Sequence, residues 1–137
     1  MKIFITGGTG FVGMHVLRQC VQAGHQVTAL VRSADKAEQA ASMGASPVYG
    51  DITDIGSFRD TLSECRAVIH LVAIIREQRR KNITFERINV QGTRQLVQAA
   101  QNQGIERFVH LSALNADPDA RTGYFQSKGK AEAAVRE

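Results

Sequence analysis

Short apolar runs alternate with longer stretches of helical periodicity along the whole chain of 137 residues. The apolar runs predict five strands, Lys2–Thr6, Gln26–Val31, Pro47–Gly50, Ala67–Val72 and Arg107–Leu111. The stretches that follow them predict five helices, Phe11–Ala23, Ala34–Met43, Asp54–Leu62, Thr84–Asn102 and Gly123–Arg136. Ser33 and Asp54 stand where the N-caps of the second and third helices are expected.

A strict alternation of strands and helices is typical of a parallel sheet that is covered by helices on both faces. Right-handed crossovers then restrict the topology to a doubly wound, Rossmann-type α/β domain with strand order 3-2-1-4-5. In such a sheet the ligand binds beyond the carboxyl ends of the strands, where the order reverses between strands 1 and 4.

The composition is that of one globular domain, with 43% hydrophobic and 22% charged residues. A formal charge of +4 suits an anionic ligand such as a nucleotide, but it is too small to indicate nucleic acid binding. Cys20 and Cys65 have no metal-ligand spacing, so reduced thiols are expected. No leader or membrane-spanning run is recognisable, and we therefore expect a cytoplasmic protein without a membrane span.

The four histidines form no metal-binding motif, and no metal site is predicted. His70 and His110 fall on the fourth and fifth strands, which are neighbours in the expected sheet order. We therefore expect these two rings to pack near each other in a structural role.

A glycine-rich turn, Thr6–Gly13, follows the first predicted strand directly and opens the first predicted helix. Gly8, Gly10 and Gly13 fit the pattern G-x-G-x-x-G, and Gly7, Gly10 and Gly13 fit G-x-x-G-x-x-G. Between a strand and a helix, this pattern indicates a turn that lets a pyrophosphate approach backbone N–H groups. The cofactor-binding residues predicted here are Gly7, Thr9, Gly10, Phe11, Val12 and Gly13.

The end of the second strand carries Arg32, which lies 19 residues beyond Gly13. An arginine at this place accommodates the 2′-phosphate of NADP, whereas an acidic residue favours NAD. Lys36 adds a second cation, and Asp35 is the competing ribose ligand inside the next helix. The sequence favours NADP as cofactor and leaves NAD open.

The segment Tyr124–Lys128 contains a tyrosine and a lysine four residues apart on the last predicted helix, and Ser112 follows the fifth strand. Together with the glycine turn, these residues resemble the short-chain dehydrogenase/reductase superfamily. Ile88–Val97 resembles the fourth-helix signature of its extended and atypical branches, and Val68–Ala73 resembles their fourth strand.

Three further segments indicate which branch of the superfamily the chain resembles. Gly50–Asp54 resembles the adenine-contacting turn of these branches. Ile74–Glu77 and Ser112–Asp117 resemble the atypical members related to the NADPH-binding accessory subunit of respiratory complex I. The NmrA-like regulators and the nucleoside-diphosphate-sugar epimerases are close relatives of that group.

The resemblance implies a catalytic group of Ser112, Tyr124 and Lys128. An ammonium next to Tyr124 would lower the tyrosine pKa, so that the phenol exchanges a proton with a substrate hydroxyl or carbonyl. Asn89 either contacts the cofactor or only satisfies the backbone at a strand end. The further cofactor-binding residues implied are Asp51, Ile52, Leu71, Val72, Ala73 and Asn89.

Such proteins continue beyond the matching part with further strands and a substrate region. Residues 1–137 are therefore expected to be the NAD(P)-binding domain, without the C-terminal substrate region. Two functions stay open, an oxidoreductase or sugar-nucleotide epimerase/dehydratase and, alternatively, a non-catalytic NADPH-binding scaffold or redox sensor. The predicted partners are the nucleotide and an unidentified small-molecule substrate, and the sequence predicts no oligomeric state.

A basic segment follows the fourth strand and contains Arg76, Arg79, Arg80 and Lys81. It lies on the ligand side of the expected sheet, where cations could meet an anionic substrate or a cofactor phosphate. The alternative is a solvated loop.

Overall fold

The sheet has five parallel strands in the order β3-β2-β1-β4-β5, which confirms the predicted doubly wound topology. The computed structural model describes all residues from Met1 to Glu137. Its strands are β1 (Lys2–Thr6), β2 (Gln26–Val31), β3 (Ser46–Tyr49), β4 (Ala67–His70) and β5 (Arg107–His110). In the centre of the sheet, Ile5 pairs with Ala29 on β2 and with Ile69 on β4.

Five α-helices connect or follow the strands, namely α1 (Phe11–Gln22), α2 (Ala34–Ser42), α3 (Arg59–Leu62), α4 (Thr93–Asn102) and α5 (Gly123–Arg136). The predicted N-cap of α2 is present, because the Ser33 hydroxyl accepts a hydrogen bond from the Lys36 amide at 3.4 Å. Strand β4 ends at His70, two residues earlier than predicted, and β5 ends at His110, one residue earlier. No helix of the structure combines the length and the apolar character needed to cross a membrane.

Helices cover both faces of the sheet because successive strand residues point in opposite directions. Phe4 and Ile5 on β1 are both fully buried, and each belongs to a different core. The core under α1 and α2 consists of Ile5, Leu17, Val27, Ala29, Val31, Ala37, Ala40 and Ala45. The core under α3 and α4 consists of Phe4, Leu30, Ile52, Phe58, Leu62, Cys65, Val68, Leu96, Ala99 and Ala100.

The helix predicted over Asp54–Leu62 is interrupted, and this prediction was wrong in detail. A 3₁₀ turn, Ile55–Ser57, precedes the short α3, and the Asp54 side chain makes no capping bond. The break falls at Phe58, whose ring stacks on Phe4 with 5.2 Å between centroids and is 2% exposed. Burying a phenyl ring contributes roughly 1.5–3 kcal/mol, which outweighs the continuity of one short helix.

The helix predicted over Thr84–Asn102 begins as a π-helix, Glu86–Gly92, before it continues as α4. The Thr93 hydroxyl donates to the Asn89 carbonyl at 2.7 Å, so this carbonyl keeps a partner where the helix widens. Gly92 allows the turn to approach Ile52 closely, since an added Cβ would lie 3.1 Å from that side chain. Wide turns of this kind occur frequently at functional sites.

Candidate functional site

A groove of about 670 Å³ lies beyond the carboxyl ends of β1, β2 and β4, where the strand order reverses. The predicted cofactor residues that line this groove are Gly7, Thr9, Gly10, Arg32, Asp51, Ile52, Leu71, Val72 and Ala73. The predicted residues beside it that do not line it are Phe11, Val12, Gly13 and Asn89.

The glycine turn needs glycine at two positions for its own geometry. Gly7 has a positive φ of 72°, and a Cβ there would also lie 3.1 Å from the backbone of Leu71. A Cβ on Gly13 would collide with the Gly7 carbonyl oxygen. Gly10 differs, because its φ of −78° suits any residue and an added Cβ would meet only the Gly7 oxygen, at 3.3 Å.

Helix α1 begins at this turn with backbone donors that no side chain caps. Gly10 is the N-cap, and the structure has no side-chain hydrogen bond to the first turn. The N–H groups of Phe11 and Val12 have no partner inside the helix, whereas the Phe11 side chain is 82% exposed. The chemistry available from these two residues therefore lies in their backbone, and it suits an anion.

A cationic end of the groove is formed by Arg32, Ser33 and Lys36. The Arg32 guanidinium lies 3.9 Å from the Asp51 carboxylate, and its side chain is 78% exposed. Asp35, the acidic alternative considered for ribose binding, does not line the groove. The acidic group beside Arg32 is Asp51.

The Asp51 carboxylate is held in place by Thr53, which donates to Oδ1 from its amide at 2.8 Å and from its hydroxyl at 2.7 Å. Burial acts to raise the pKa of Asp51. The Thr53 hydrogen bonds and the nearby Arg32 and Arg87 cations outweigh it, so the pKa lies below its usual value. Asp51 is thus an ionised, oriented acceptor in the groove.

The Lys128 side chain reaches the backbone at the end of β5, next to Ser112 in sequence, while the Tyr124 hydroxyl makes no hydrogen bond to either side chain. The Lys128 ammonium is 3% exposed and donates to the Leu111 carbonyl at 2.6 Å. The buried Ser112 hydroxyl has no hydrogen-bond partner. The Tyr124 ring packs edge-on against Phe85 at 6.2 Å, and no hydrogen bond joins its hydroxyl to the other two side chains.

Burial lowers the pKa of Lys128, and the nearby Glu132 carboxylate offsets part of this shift. The ammonium has three protons, of which the Leu111 carbonyl takes one. Lys128 therefore keeps donors for a neighbouring oxygen. Because the ammonium is buried, such an oxygen is a favourable partner for it.

His70 and His110 stack at the ends of β4 and β5 with 5.4 Å between ring centroids, which confirms the expected packing. Burial, together with His110 and Lys128, lowers the pKa of His70 to about 3. Burial and Lys128 lower the pKa of His110 to about 4. Both rings are therefore neutral at physiological pH.

Asn89 satisfies backbone at the end of a strand, which was one of the two roles considered for it. Its amide accepts from the Ile74 N–H at 2.8 Å and donates to the Ile74 carbonyl at 3.0 Å. The same amide nitrogen donates to the Ser127 hydroxyl at 3.0 Å. Asn89 is 1% exposed, so its bond to Ser127 is buried, while the two bonds to Ile74 are partly buried.

The basic segment after β4 divides between the two roles considered for it. Arg76 lines the groove. Arg79 instead pairs with Glu77 at 3.0 Å, and Arg80 and Lys81 are exposed. Only one of the four cations therefore faces the candidate site.

The groove is also lined by residues that were not predicted to bind the cofactor. The Ile83 backbone pairs with that of Gln78 through hydrogen bonds of 2.8 and 3.2 Å, and this brings Ile83 to the groove. Periodicity could not have located Ile83 there, because its position depends on a loop. The unpredicted lining residues are Leu30, Val31, Ser33, Gly50, Ile74, Gln78, Ile83 and Ile88.

The chain is similar to known proteins in sequence and in fold. The sequence model of the NAD dependent epimerase/dehydratase family matches residues 3–130. A relative from Stigmatella aurantiaca, 4-hydroxy-2-methyl-3-oxo-4-farnesyl-3,4-dihydroquinoline-1-oxide ketoreductase, is 33% identical over 88% of this chain and 36% of its own length. The photosystem II assembly factor Ycf39 of Synechocystis sp. is 33% identical over 85% of this chain and 35% of its own length.

A solved structure agrees in fold. The crystal structure of a short-chain dehydrogenase/reductase superfamily protein from Agrobacterium tumefaciens with bound NAD has a TM-score of 0.78 and 26% identity. The match covers 99% of this chain and 44% of that one. The chain spans about a third of the length of the two curated relatives. The Rossmann-type fold and the superfamily resemblance are confirmed.

The buried histidines predict that acid destabilises the fold. Folded His70 stays neutral down to its pKa of about 3, whereas an unfolded histidine takes up a proton near pH 6.5. Protons therefore favour the unfolded chain between these values, and stability falls as the pH drops. At about pH 5, His70 alone lowers the free energy of unfolding by roughly 2 kcal/mol, and His110 acts in the same direction. Urea unfolding at neutral and acid pH measures the change.

Carboxylates also contribute to acid sensitivity, so the test needs a variant without these imidazoles. The double variant His70→Phe/His110→Phe keeps two stacked rings and removes both titrating groups. Its free energy of unfolding should change less between the two pH values than that of the wild type. Equal changes in both proteins would contradict the assignment of buried neutral rings.

Proposed function

This chain belongs to the NAD dependent epimerase/dehydratase family, and on that premise we propose that residues 1–137 form its nicotinamide-nucleotide-binding domain, with NADP(H) as the cofactor. The observation that carries the proposal is the groove at the point where the strand order reverses. Its floor is the Gly7–Gly10 turn, and one end carries Arg32 and Lys36. A dinucleotide with an additional phosphate matches this distribution of space and charge.

The residues of the groove fit the parts of the cofactor. The turn at Gly10, which carries no side chain, and the free N–H groups of Phe11 and Val12 would receive the pyrophosphate. Arg32 and Lys36 would bind the 2′-phosphate, because a guanidinium forms paired hydrogen bonds with phosphate oxygens. The adenine would lie near Asp51 and Ile52, and the nicotinamide near the wall from Leu71 to Ile74.

We propose an oxidoreductase of the short-chain dehydrogenase/reductase type as the activity of the protein that contains this domain. The bound cofactor supplies or accepts the hydride. Tyr124 exchanges a proton with the substrate carbonyl or hydroxyl at its phenolic oxygen. The Ser112 hydroxyl donates to the same substrate oxygen, and its lack of a partner within the chain supports this role.

Lys128 assists by its charge. Its buried ammonium lies one helical turn from Tyr124 on α5, and the donors that remain after the bond to Leu111 are available for ribose hydroxyls. The ketoreductase of Stigmatella aurantiaca supports a carbonyl compound as the substrate class. Epimerisation or dehydration of a sugar nucleotide is the related reaction for which the same groups would serve.

A second candidate function is a nucleotide-binding scaffold without turnover. It is favoured by the assembly factor among the relatives and by the position of Tyr124, whose hydroxyl bonds to neither Ser112 nor Lys128. In that case the groove binds the nucleotide as a structural or sensory ligand. The three side chains then have no chemical task.

Gly10→Val is expected to weaken NADPH binding by about tenfold or more while the chain stays folded. The valine suits the extended backbone of Gly10 and would occupy space proposed for the pyrophosphate, whose charge-assisted hydrogen bonds are worth roughly 1.5–3 kcal/mol each. Isothermal titration calorimetry measures the affinity, and far-UV circular dichroism monitors the fold. Gln22→Val, on the exposed last turn of the same helix, is the control and should bind normally. Full affinity in folded Gly10→Val would refute the pyrophosphate site.

Arg32→Asp should reverse the cofactor preference. The wild type should bind NADPH more tightly than NADH, and the variant should lose about tenfold in NADPH affinity because a carboxylate repels the 2′-phosphate. Arg18→Asp makes the same change of charge on an exposed position of α1 outside the groove and should not alter the ratio. A wild type that prefers NADH would show that the cofactor is NAD.

Tyr124→Phe distinguishes an enzyme from a scaffold. If the protein reduces carbonyl compounds, the loss of the phenol should lower the rate of NADPH consumption by about 10²–10⁴-fold. The affinity for NADPH should change little, because the hydroxyl makes no hydrogen bond that holds the groove. The assay compares both proteins over a panel of ketones and sugar nucleotides. Both are made as the whole protein that contains this domain, because this chain spans only about a third of the length of its curated relatives. NADPH binding without turnover in that wild-type protein would favour the scaffold.

A further inference from the structure

A buried network of hydrogen bonds crosses the molecule beneath the groove and joins β1, β4, the π-helix and α5. His70 stands at its centre, with Nδ1 at 2.6 Å from the Thr6 hydroxyl and Nε2 at 3.0 Å from the Thr93 hydroxyl. Thr93 continues the network to the Asn89 carbonyl at 2.7 Å. All four residues are at most 1% exposed.

The proton positions in this network follow from its donors and acceptors. Thr93 donates its only hydroxyl proton to Asn89, so it accepts from His70 through Nε2–H. In the neutral ring Nδ1 is then an acceptor, and it accepts a hydrogen bond from the Thr6 hydroxyl. The Thr6 oxygen still accepts from the Leu71 amide at 3.3 Å. Only the neutral imidazole with Nε2 protonated satisfies each of these groups.

The wall of the groove from Leu71 to Ile74 is held at both ends by this network. At its start, the Leu71 amide donates to the Thr6 carbonyl at 3.1 Å and also to the Thr6 hydroxyl at 3.3 Å, and at its end both backbone groups of Ile74 bond to the Asn89 amide. His70 precedes the wall directly and connects its two anchors through Thr6 and Thr93.

The network also reaches the helix that carries Tyr124 and Lys128. The Asn89 amide donates to the Ser127 hydroxyl, which donates to the Tyr124 carbonyl at 2.7 Å. The groove wall and the first turn of α5 therefore share one fixed reference, Asn89. A residue that holds Asn89 sets the separation between them.

We propose that His70 is a positioning residue that fixes the Leu71–Ile74 wall against α5 and thereby controls binding of the nicotinamide half of the dinucleotide without touching it. This inference rests on the proposed function, because it assumes that a nicotinamide nucleotide occupies the groove. The adenine half would bind at the opposite end, near Arg32 and Asp51. His70 should have no effect there, and this separates positioning from a general contribution to stability.

The test compares two probes on the 137-residue chain, NADPH and 2′,5′-ADP, which lacks the nicotinamide half. His70→Phe keeps a ring stacked on His110 and removes both hydrogen bonds. It should weaken NADPH binding about tenfold and leave the affinity for 2′,5′-ADP unchanged. Calorimetric titration gives both affinities, and thermal unfolding gives the stability independently.

Thr93→Val provides a milder variant of nearly equal volume at the other end of the same bonds. It should show the same selective loss, and it decides the question if His70→Phe does not fold. The double variant His70→Phe/Thr93→Val should lose no more NADPH affinity than His70→Phe alone, because both changes break the same network. His110→Phe is the matched control, since His110 stacks on His70 but makes no hydrogen bond, and it should bind both probes normally.

Three results would overturn the inference. Equal losses for both probes would assign His70 a general structural role, and unchanged NADPH binding in folded variants would assign it none. An equal selective loss in His110→Phe would attribute the effect to ring packing and not to the hydrogen bonds. A wild type that binds neither probe would instead refute the proposed function, and the inference with it.

Discussion

The contact between the start of α1 and the end of β1 is the constraint on which the candidate site depends. Gly13 lies so close to the Gly7 carbonyl that no side chain fits between them. This approach brings the helix N-terminus against the sheet and leaves its first N–H groups free beside the groove. The same Gly7 carbonyl closes the turn by accepting a hydrogen bond from the Gly10 amide at 3.0 Å.

The sheet places several polar side chains where water cannot reach them, and nearly all of them are paired. Thr6, His70, Asn89, Thr93 and Ser127 are buried and hydrogen-bonded to one another or to backbone. An unpaired polar group in such a place costs about 1–3 kcal/mol, so the pairing makes this arrangement tolerable in a small domain. The exceptions are the Ser112 hydroxyl and the His110 ring nitrogens, which have no partner in the chain. They lie at the carboxyl end of β5, which is the side of the sheet proposed for the reaction.

The groove and the proposed reaction group differ in how closely their residues come together. The groove combines the glycine turn, the cationic end and the apolar wall in one cavity. The proposed reaction group has Ser112 and Lys128 at one strand end, with Tyr124 packed on Phe85. This arrangement is compatible with both an enzyme and a scaffold, and the two curated relatives are a ketoreductase and an assembly factor.

The order of strands and helices, the glycine turn and the α5 boundaries could be predicted because each is encoded by a few consecutive residues. A run of apolar residues, a glycine spacing or an N-cap acts locally, and Gly123–Arg136 was predicted to the residue. The helices predicted over Asp54–Leu62 and Thr84–Asn102 were less accurate, because each contains a residue with a distant partner. Phe58 stacks on Phe4, and Thr93 bonds to His70. Only the tertiary structure decided that Asp51 and not Asp35 lies beside Arg32, and that Asn89 bonds to Ile74 and Ser127. These outcomes depend on side chains far apart in sequence, such as Thr6 and His70, which lie 64 residues apart and meet only when the parallel strands pair.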